Sequence, residues 1–308
     1  MLERKDLLGL IDASESEITE ILDLAQNFKD RIKKGEKNMS YLVGKTATIL
    51  FYENSTRTRT SFEQAAKYLG AKVINIVAST SSVAKGETLV DTGKTLDAQR
   101  NEFIVIRHSM GGAPHLLAKT VKASVLNAGD GVNEHPTQAL LDMLTMRETF
   151  GTLKGLKVAI LGDIKHSRVA KSNLFGLKTM GSDVYMYAPN TLIPKGIEQL
   201  GAKVCSSREE ALKDADVVMG LRIQLERQEA GAFPSLGEYA ANYGVNEELL
   251  ALAKPNAIVL HPGPVNRGVE LTSGVIDHER SHIEDQVLSG VAVRMAALTL
   301  LNEARKEN

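Results

Sequence analysis

At 308 residues the chain is long enough for two domains with real cores, since a single core stops growing near ~250–300 residues. A formal net charge of −1, with 24% charged residues, excludes a global basic field for nucleic acid or an anionic membrane, so a cationic site has to be concentrated locally. One cysteine, Cys205, excludes an intramolecular disulfide framework and a multi-cysteine metal site, and suits a reducing cytoplasm.

The opening "MLERKDLLGLIDASESE" carries charges inside its apolar run, unlike a signal peptide, and no run reaches the ~18 uninterrupted apolar residues of a membrane helix. "KTATILFY" (residues 45–52) is β-branched and bounded by polar residues, which predicts a buried strand. "TSFEQAAKYLG" spaces Phe62, Ala65, Ala66 and Leu69 as a helix and stops at Gly70. "AKVINIV" follows as a strand, and "NEFIVIRH" and "ASVLNAG" predict two more, with helices between. "HPTQALLDMLTMRETFG" predicts a long helix starting at Pro136, a residue suited to a first helical turn.

After Gly151 the pattern restarts. "LKVAILGD" is a strand, "RVAKSNLFGLKTMG" a helix and "DVYMYAP" a strand. "GAKVCSS" and "ADVVMGLR" predict strands around the helix-like "REEALKDA", and "NAIVLHPGP" (residues 256–264) predicts a last strand. "DQVLSGVAVRMAALTLLNEARK" predicts a long amphipathic helix. Such alternation implies an α/β protein of two domains, residues 1–150 and 151–308, each a mostly parallel sheet flanked by helices.

In open parallel sheets ligands bind at the carboxyl ends of the strands. "ENSTRTRT", Arg107 with His108, "GDIKHSR", "LRIQLER" and "HPGPVNRG" each follow a predicted strand. Ser55 to Thr58 would lie where a helix starts, with free N–H groups and the positive end of the dipole, and a phosphate fits such a place. Two arginines and several hydroxyls exceed what an N-cap needs. The GxxxxGK[ST] phosphate loop is absent, and "ILGDIKHSR" lacks the GxGxxG of a dinucleotide site. Seven histidines without HxxxH or HxH spacing predict no metal site. His135 taken alone reads as a capping or packing residue, and the run Arg208 to Glu210 as a solvated helix face.

Together "FYENSTRTRTSFE", "STSSVAKGET", "HPTQALLDM", "GDIKHSR", "LRIQLER" and "HPGPVNRG" resemble, in order and over nearly the whole chain, the aspartate/ornithine carbamoyltransferase family. The aspartate branch is the closer, because the ornithine enzymes have His-Cys-Leu-Pro where this chain has "HPGP". The resemblance implies carbamoyl transfer from carbamoyl phosphate to L-aspartate, with ornithine or another amino compound as the alternative acceptor. A dehydrogenase would need the missing glycine fingerprint. A non-catalytic relative would be expected to have lost several of Arg57, Arg107, His135 and Gln138.

By the same resemblance, Ser55, Thr56, Arg57, Thr58 and Arg107 hold the phosphate. Thr58, Arg107 and His135 donate to the carbonyl oxygen, Gln138 meets the carbamoyl amide, and Gly263 and Pro264 offer backbone carbonyls to its NH2. Arg168 takes the α-carboxylate of aspartate, Arg222 and Gln224 its side-chain carboxylate, and Lys85 bridges both substrates. The catalytic set is Arg57, Thr58, Arg107 and His135. Ser81 and Lys85 come from a neighbouring subunit, which implies a homotrimer with shared active sites, open to assembly with regulatory chains. The last helix is expected to return to the first domain. No metal or organic cofactor is expected, since phosphate is itself the leaving group. A cis Gly263–Pro264 bond is expected from the same loop, because an X–Pro bond is where such a reversal costs only ~0.5–1 kcal/mol.

Overall fold

The computed structural model describes residues 3–77, 86–224 and 235–307. The chain divides into two compact units, residues 1–144 with 287–308 and residues 145–286.

The first unit is built on a four-stranded sheet of β1 (Thr46–Phe51), β2 (Lys72–Val77), β3 (Phe103–His108) and β4 (Ser124–Asp130), in the order β2-β1-β3-β4. All three pairings are parallel. β1, β3 and β4 are buried along most of their length, as strands covered on both faces must be, whereas β2 is an exposed edge. Between them lie α2 (Thr56–Tyr68), α3 (Leu89–Ala98) and α4 (Ala113–Ala118). Leu50, Ile104, Ile106, Leu117 and Val125 form a core on one side of this sheet. α1 (Glu15–Lys33) precedes the sheet and α5 (Pro136–Phe150) leaves it.

α1 was not legible as a helix in the charged opening, yet its ends are well specified. Ser14 and Glu17 form a reciprocal capping box, with acidic residues in the first turn and basic ones in the last. Ile18, Ile21, Leu22, Ala25, Phe28 and Ile32 give it one buried face.

The second unit carries β5 (Lys157–Gly162), β6 (Asp183–Tyr187), β7 (Lys203–Val204), β8 (Val217–Leu221) and β9 (Ile258–Leu260), in the order β7-β6-β5-β8-β9 and again all parallel. β7 and β9 are much shorter than "GAKVCSS" and "NAIVLHPGP" suggested. Cys205 to Ser207 turn into a helix cap, and the chain after Leu260 enters the proline loop. α6 (Arg168–Thr179), α7 (Arg208–Leu212), α8 (Leu236–Tyr243), α9 (Glu247–Leu250) and α10 (Ser273–Ile276) complete the unit. Ala159, Leu161, Val218, Val259 and Leu271 form its core. Arg208 is no free surface charge: it donates to the carbonyls of Ala241 and Gly244 at the end of α8.

α11 (Asp285–Glu307) brings the chain back to the first unit, where Lys29 Nζ of α1 donates to Ser289 Oγ at 2.8 Å. The amphipathic reading of this helix was wrong. Every residue from Ser289 to Asn302 is buried, so the helix has no solvent face along this length, its few polar side chains included. It is also long and apolar enough, by length and composition, to cross a membrane, but 83% of its apolar window is buried inside the fold.

Each sheet has one point where the strand order reverses, between β1 and β3 and between β5 and β8. At the first, Phe51 lies in register with Arg107, and at the second, Gly162 with Leu221. Gly162 has φ +133, and a Cβ there would run into the Leu221 carbonyl oxygen. Gly162→Ala should therefore cost at least about 1–3 kcal/mol in urea unfolding, the range for a side chain forced into a glycine-only conformation. Wild-type stability in that variant would show that the two strand ends are not held this closely.

Candidate active site

The carboxyl edge of the first sheet is where the sequence motifs converge. Tyr52 N–H donates to the Arg107 carbonyl at 2.9 Å, which places the loop entering α2 beside Arg107. The Arg107 guanidinium then meets Glu53 at 3.2 Å and donates to the Ala128 carbonyl at 3.4 Å. β1, β3 and β4 thus all contribute to holding it.

α2 begins at Thr56, with Ser55 as the N-cap. Among the described α-helices with Ser, Thr or Asn at the N-cap, seven use that side chain to accept a first-turn N–H. Ser55 does not. Its backbone is extended, as a cap requires, but its hydroxyl takes none of the N–H groups that follow. Thr58 is buried, Ser55 half-buried, and Thr56 and Arg57 are exposed. Thr60 is occupied, because its hydroxyl donates back to the carbonyls of Thr56 and Arg57. An open helix start with hydroxyls and two arginines beside it binds anions.

His135 and Gln138 frame the start of α5. The His135 carbonyl accepts from the N–H groups of Gln138 and Ala139, so the histidine starts the helix through its backbone. Both side chains are buried. Gln138 Nε2 donates to Asp142 Oδ1 at 2.9 Å, one turn along.

The polar loop between β4 and α5 was not singled out by any motif, yet it sets where His135 stands. Asp130, fully buried, accepts from Asn127 Nδ2, from the backbone of Gly112 and Glu134, and from Asn133 Nδ2. Glu134 accepts from Leu10 N–H at 2.8 Å. The unusual density of Asn, Asp and Glu in "NAGDGVNEH" was the signal available. Burial lowers the pKa of His108 beside this loop, against the opposing pull of Glu53 and Asp130.

In the second unit the motifs again meet at the reversal point. Arg168 is the first residue of α6 and is buried, next to the Ser167 N-cap. Arg222 and Gln224 follow β8, with Arg222 Nη2 donating to Gln224 Oε1 at 3.1 Å. Asp163, the first residue after β5 and fully buried, joins the two loops. It accepts from the backbone of His166 and Gln224 and lies 2.9 Å from His166 Nδ1. The sequence reading passed over Asp163, taking "GDIKHSR" for its basic residues. Gly263 and Pro264 follow β9, the neighbour of β8, and their peptide bond is cis as expected. Gly263 N–H donates to His261 Nδ1 at 2.8 Å. Ser81 and Lys85 lie outside the described residues. Among the described residues, no cluster of three His, Cys, Asp or Glu is arranged to hold a metal ion.

Residues 5–148 match the carbamoyl-P binding domain of aspartate/ornithine carbamoyltransferases, and residues 154–301 match the Asp/Orn binding domain. The chain belongs to the aspartate/ornithine carbamoyltransferase family. It is 62% identical over 300 residues to an aspartate carbamoyltransferase catalytic subunit of Ruminiclostridium cellulolyticum, covering 97% of this chain and 96% of that one. A catalytic subunit of the same description from Acetivibrio thermocellus is 60% identical, with 98% and 96% covered. Among solved structures, aspartate transcarbamoylase from Trypanosoma cruzi with N-(phosphonacetyl)-L-aspartic acid superposes with a TM-score of 0.87 at 33% identity, over 97% of this chain and 96% of that one. The ornithine carbamoyltransferase of Thermus thermophilus gives 0.86 at 29%, over 98% and 99%. The two branches of the family share this fold, so the fold does not choose the acceptor.

Proposed function

We propose that this chain transfers the carbamoyl group of carbamoyl phosphate to the amino group of L-aspartate, giving N-carbamoyl-L-aspartate and phosphate, a step of de novo pyrimidine biosynthesis. The observation that carries the reading is the open N-terminus of α2, left uncapped by Ser55 and placed by strand register beside Arg107.

In this reading residues 1–150 are the carbamoyl-phosphate-binding part and residues 151–308, apart from the returning last helix, the aspartate-binding part. The first-turn N–H groups of α2, the hydroxyls of Ser55, Thr56 and Thr58, and the guanidinium groups of Arg57 and Arg107 take the phosphate oxygens. Glu53 keeps Arg107 in place at the cost of part of its charge. When the amine attacks the carbonyl carbon, negative charge moves to the carbonyl oxygen. Thr58, Arg107 and His135 donate to that oxygen and lower the barrier by preorganisation. Gln138 accepts one N–H of the carbamoyl NH2, and the carbonyls of Gly263 and Pro264 share the other. The C–N bond forms, the C–O bond to phosphate breaks, and the departing phosphate is a base able to take the ammonium proton.

The acceptor is read from the second unit. Arg168, and Arg222 with Gln224, offer two guanidinium forks, each matched to a carboxylate. Aspartate has two carboxylates. Ornithine has one, and with its side-chain amine at the carbamoyl carbon its α-ammonium would be left with the arginines. Relatives at 56–62% identity that carry the aspartate name support the same choice. Lys85 bridges the substrates and arrives with Ser81 from a neighbouring subunit, so the enzyme works as a homotrimer, with regulatory chains as further partners, in the cytoplasm.

Steady-state assays with each acceptor test the assignment. N-carbamoyl-L-aspartate should form at least about a hundredfold faster than citrulline, because a like-charge juxtaposition costs several kcal/mol. Preferred formation of citrulline would overturn it. The shared site has its own test. Arg57→Ala and Lys85→Ala should each lower turnover by about 10²–10³, the loss typical of one preorganised donor. Mixing the two variants under subunit exchange should restore activity, since some sites then receive a wild-type copy of both residues. Verified exchange with no recovery would show that each chain supplies its own lysine.

A further inference from the structure

The interior beside α2 and α5 holds two buried charged groups that the reaction itself does not use. Arg294 of α11 is wholly buried, with its guanidinium 4.9 Å from the Phe62 ring centroid and Nη1 donating to Ser61 Oγ at 2.7 Å. Ser61 is on α2, one turn beyond Thr58. Gly290, one turn before Arg294, supplies the room: a Cβ there would sit 2.6 Å from Nη1. Burial lowers the arginine's pKa to about 10, and the charge of Asp142 acts in the opposite direction. Arg294 is therefore still a cation at neutral pH. Asp142, fully buried on α5, in turn accepts the Nε2 hydrogen bond of Gln138.

The polarity of that bond matters. A glutamine amide offers a donor end and an acceptor end of nearly equal shape, whereas an ionised carboxylate only accepts. Facing a carboxylate, Gln138 has to turn its nitrogen inward, and Oε1 is the end left for a ligand. We propose that Asp142 is a positioning residue that fixes the orientation of Gln138, so that the site demands a hydrogen-bond donor and selects an amide NH2 over an isosteric methyl group. This rests on the role given above to Gln138. A methyl group would leave Oε1 buried without a donor, a loss that a neutral partner at 142 would not relieve, because a flipped amide faces the methyl with an equally unmatched N–H.

The test compares carbamoyl phosphate with acetyl phosphate, which carries CH3 in place of NH2, as donors to L-aspartate in the full-length enzyme. The readout is the ratio of the two kcat/KM values. Asp142→Asn should lower this ratio about tenfold, through the carbamoyl donor alone. The rise in Tm given by inorganic phosphate, which has no NH2, should stay as in the wild type. A ratio that stays at the wild-type value overturns the proposal. So does a parallel fall for both donors, or loss of the phosphate-induced rise in Tm, since a merely structural role predicts those. Gln138→Ala separates the two layers of the argument. If it collapses the ratio while Asp142→Asn does not, only the positioning role fails; if neither moves it, the role of Gln138 fails as well. Should Asp142→Asn leave Arg294 too costly to bury, Asp142→Asn/Arg294→Met removes both charges together, a change buried pairs often tolerate. The same ratio, read in that variant, decides between the same outcomes.

Discussion

Parallel strands all end at one edge of their sheet, and that constraint organises everything else in this molecule. Every loop leaving a strand opens on the same side, and where the strand order reverses, two neighbouring loops diverge and leave a crevice. Both sheets have such a point, and Arg107, Arg168 and Arg222 stand next to one. With a net charge of −1 the chain has no excess of cations to spread over its surface. In the reading proposed here, anion binding therefore depends on local concentration, achieved with an uncapped helix start, backbone N–H groups and a few arginines.

Such a site is costly to hold open, and the cost is met by buried polar groups behind it. Asp130 fixes the loop leading to His135, and Asp163 ties the loop after β5 to the loop after β8. Arg294 bonds to α2 and acts electrostatically on Asp142 of α5. A buried carboxylate or guanidinium without partners would destabilise the fold severely, whereas one whose oxygens and nitrogens are bonded gives each loop a single geometry. Ions of this kind add little net stability, but they specify position. In the reading proposed here that position is what the chemistry needs, because preorganised donors lower a barrier only when they are already in place.

Most of the architecture was legible from periodicity. β1, β3, β5 and β8 are runs dominated by apolar and β-branched residues, and α5 starts at Pro136 as read. α11 was misread because its polar residues were taken for a solvent face. Ser289, Arg294, Thr299 and Asn302 are all inside, and no local pattern distinguishes a polar residue with a buried partner from one facing water. α1 was missed because its apolar stripe is interleaved with charges on its exposed face. The arginines and hydroxyls stood out because they cluster next to strand ends. Asp130, Asp142 and Asp163 did not, since a single carboxylate shows no pattern of its own until its partners are known, whether four residues away, as Gln138 is for Asp142, or 61, as Gln224 is for Asp163.

The central claim is that the phosphate is held by the start of α2. A crystal structure with carbamoyl phosphate bound tests it most directly. The account predicts phosphate oxygens about 2.7–3.2 Å from first-turn N–H groups of α2, within reach of the guanidinium groups of Arg57 and Arg107. Phosphate density at the start of α6 instead, where Ser167 already caps the helix, would contradict it.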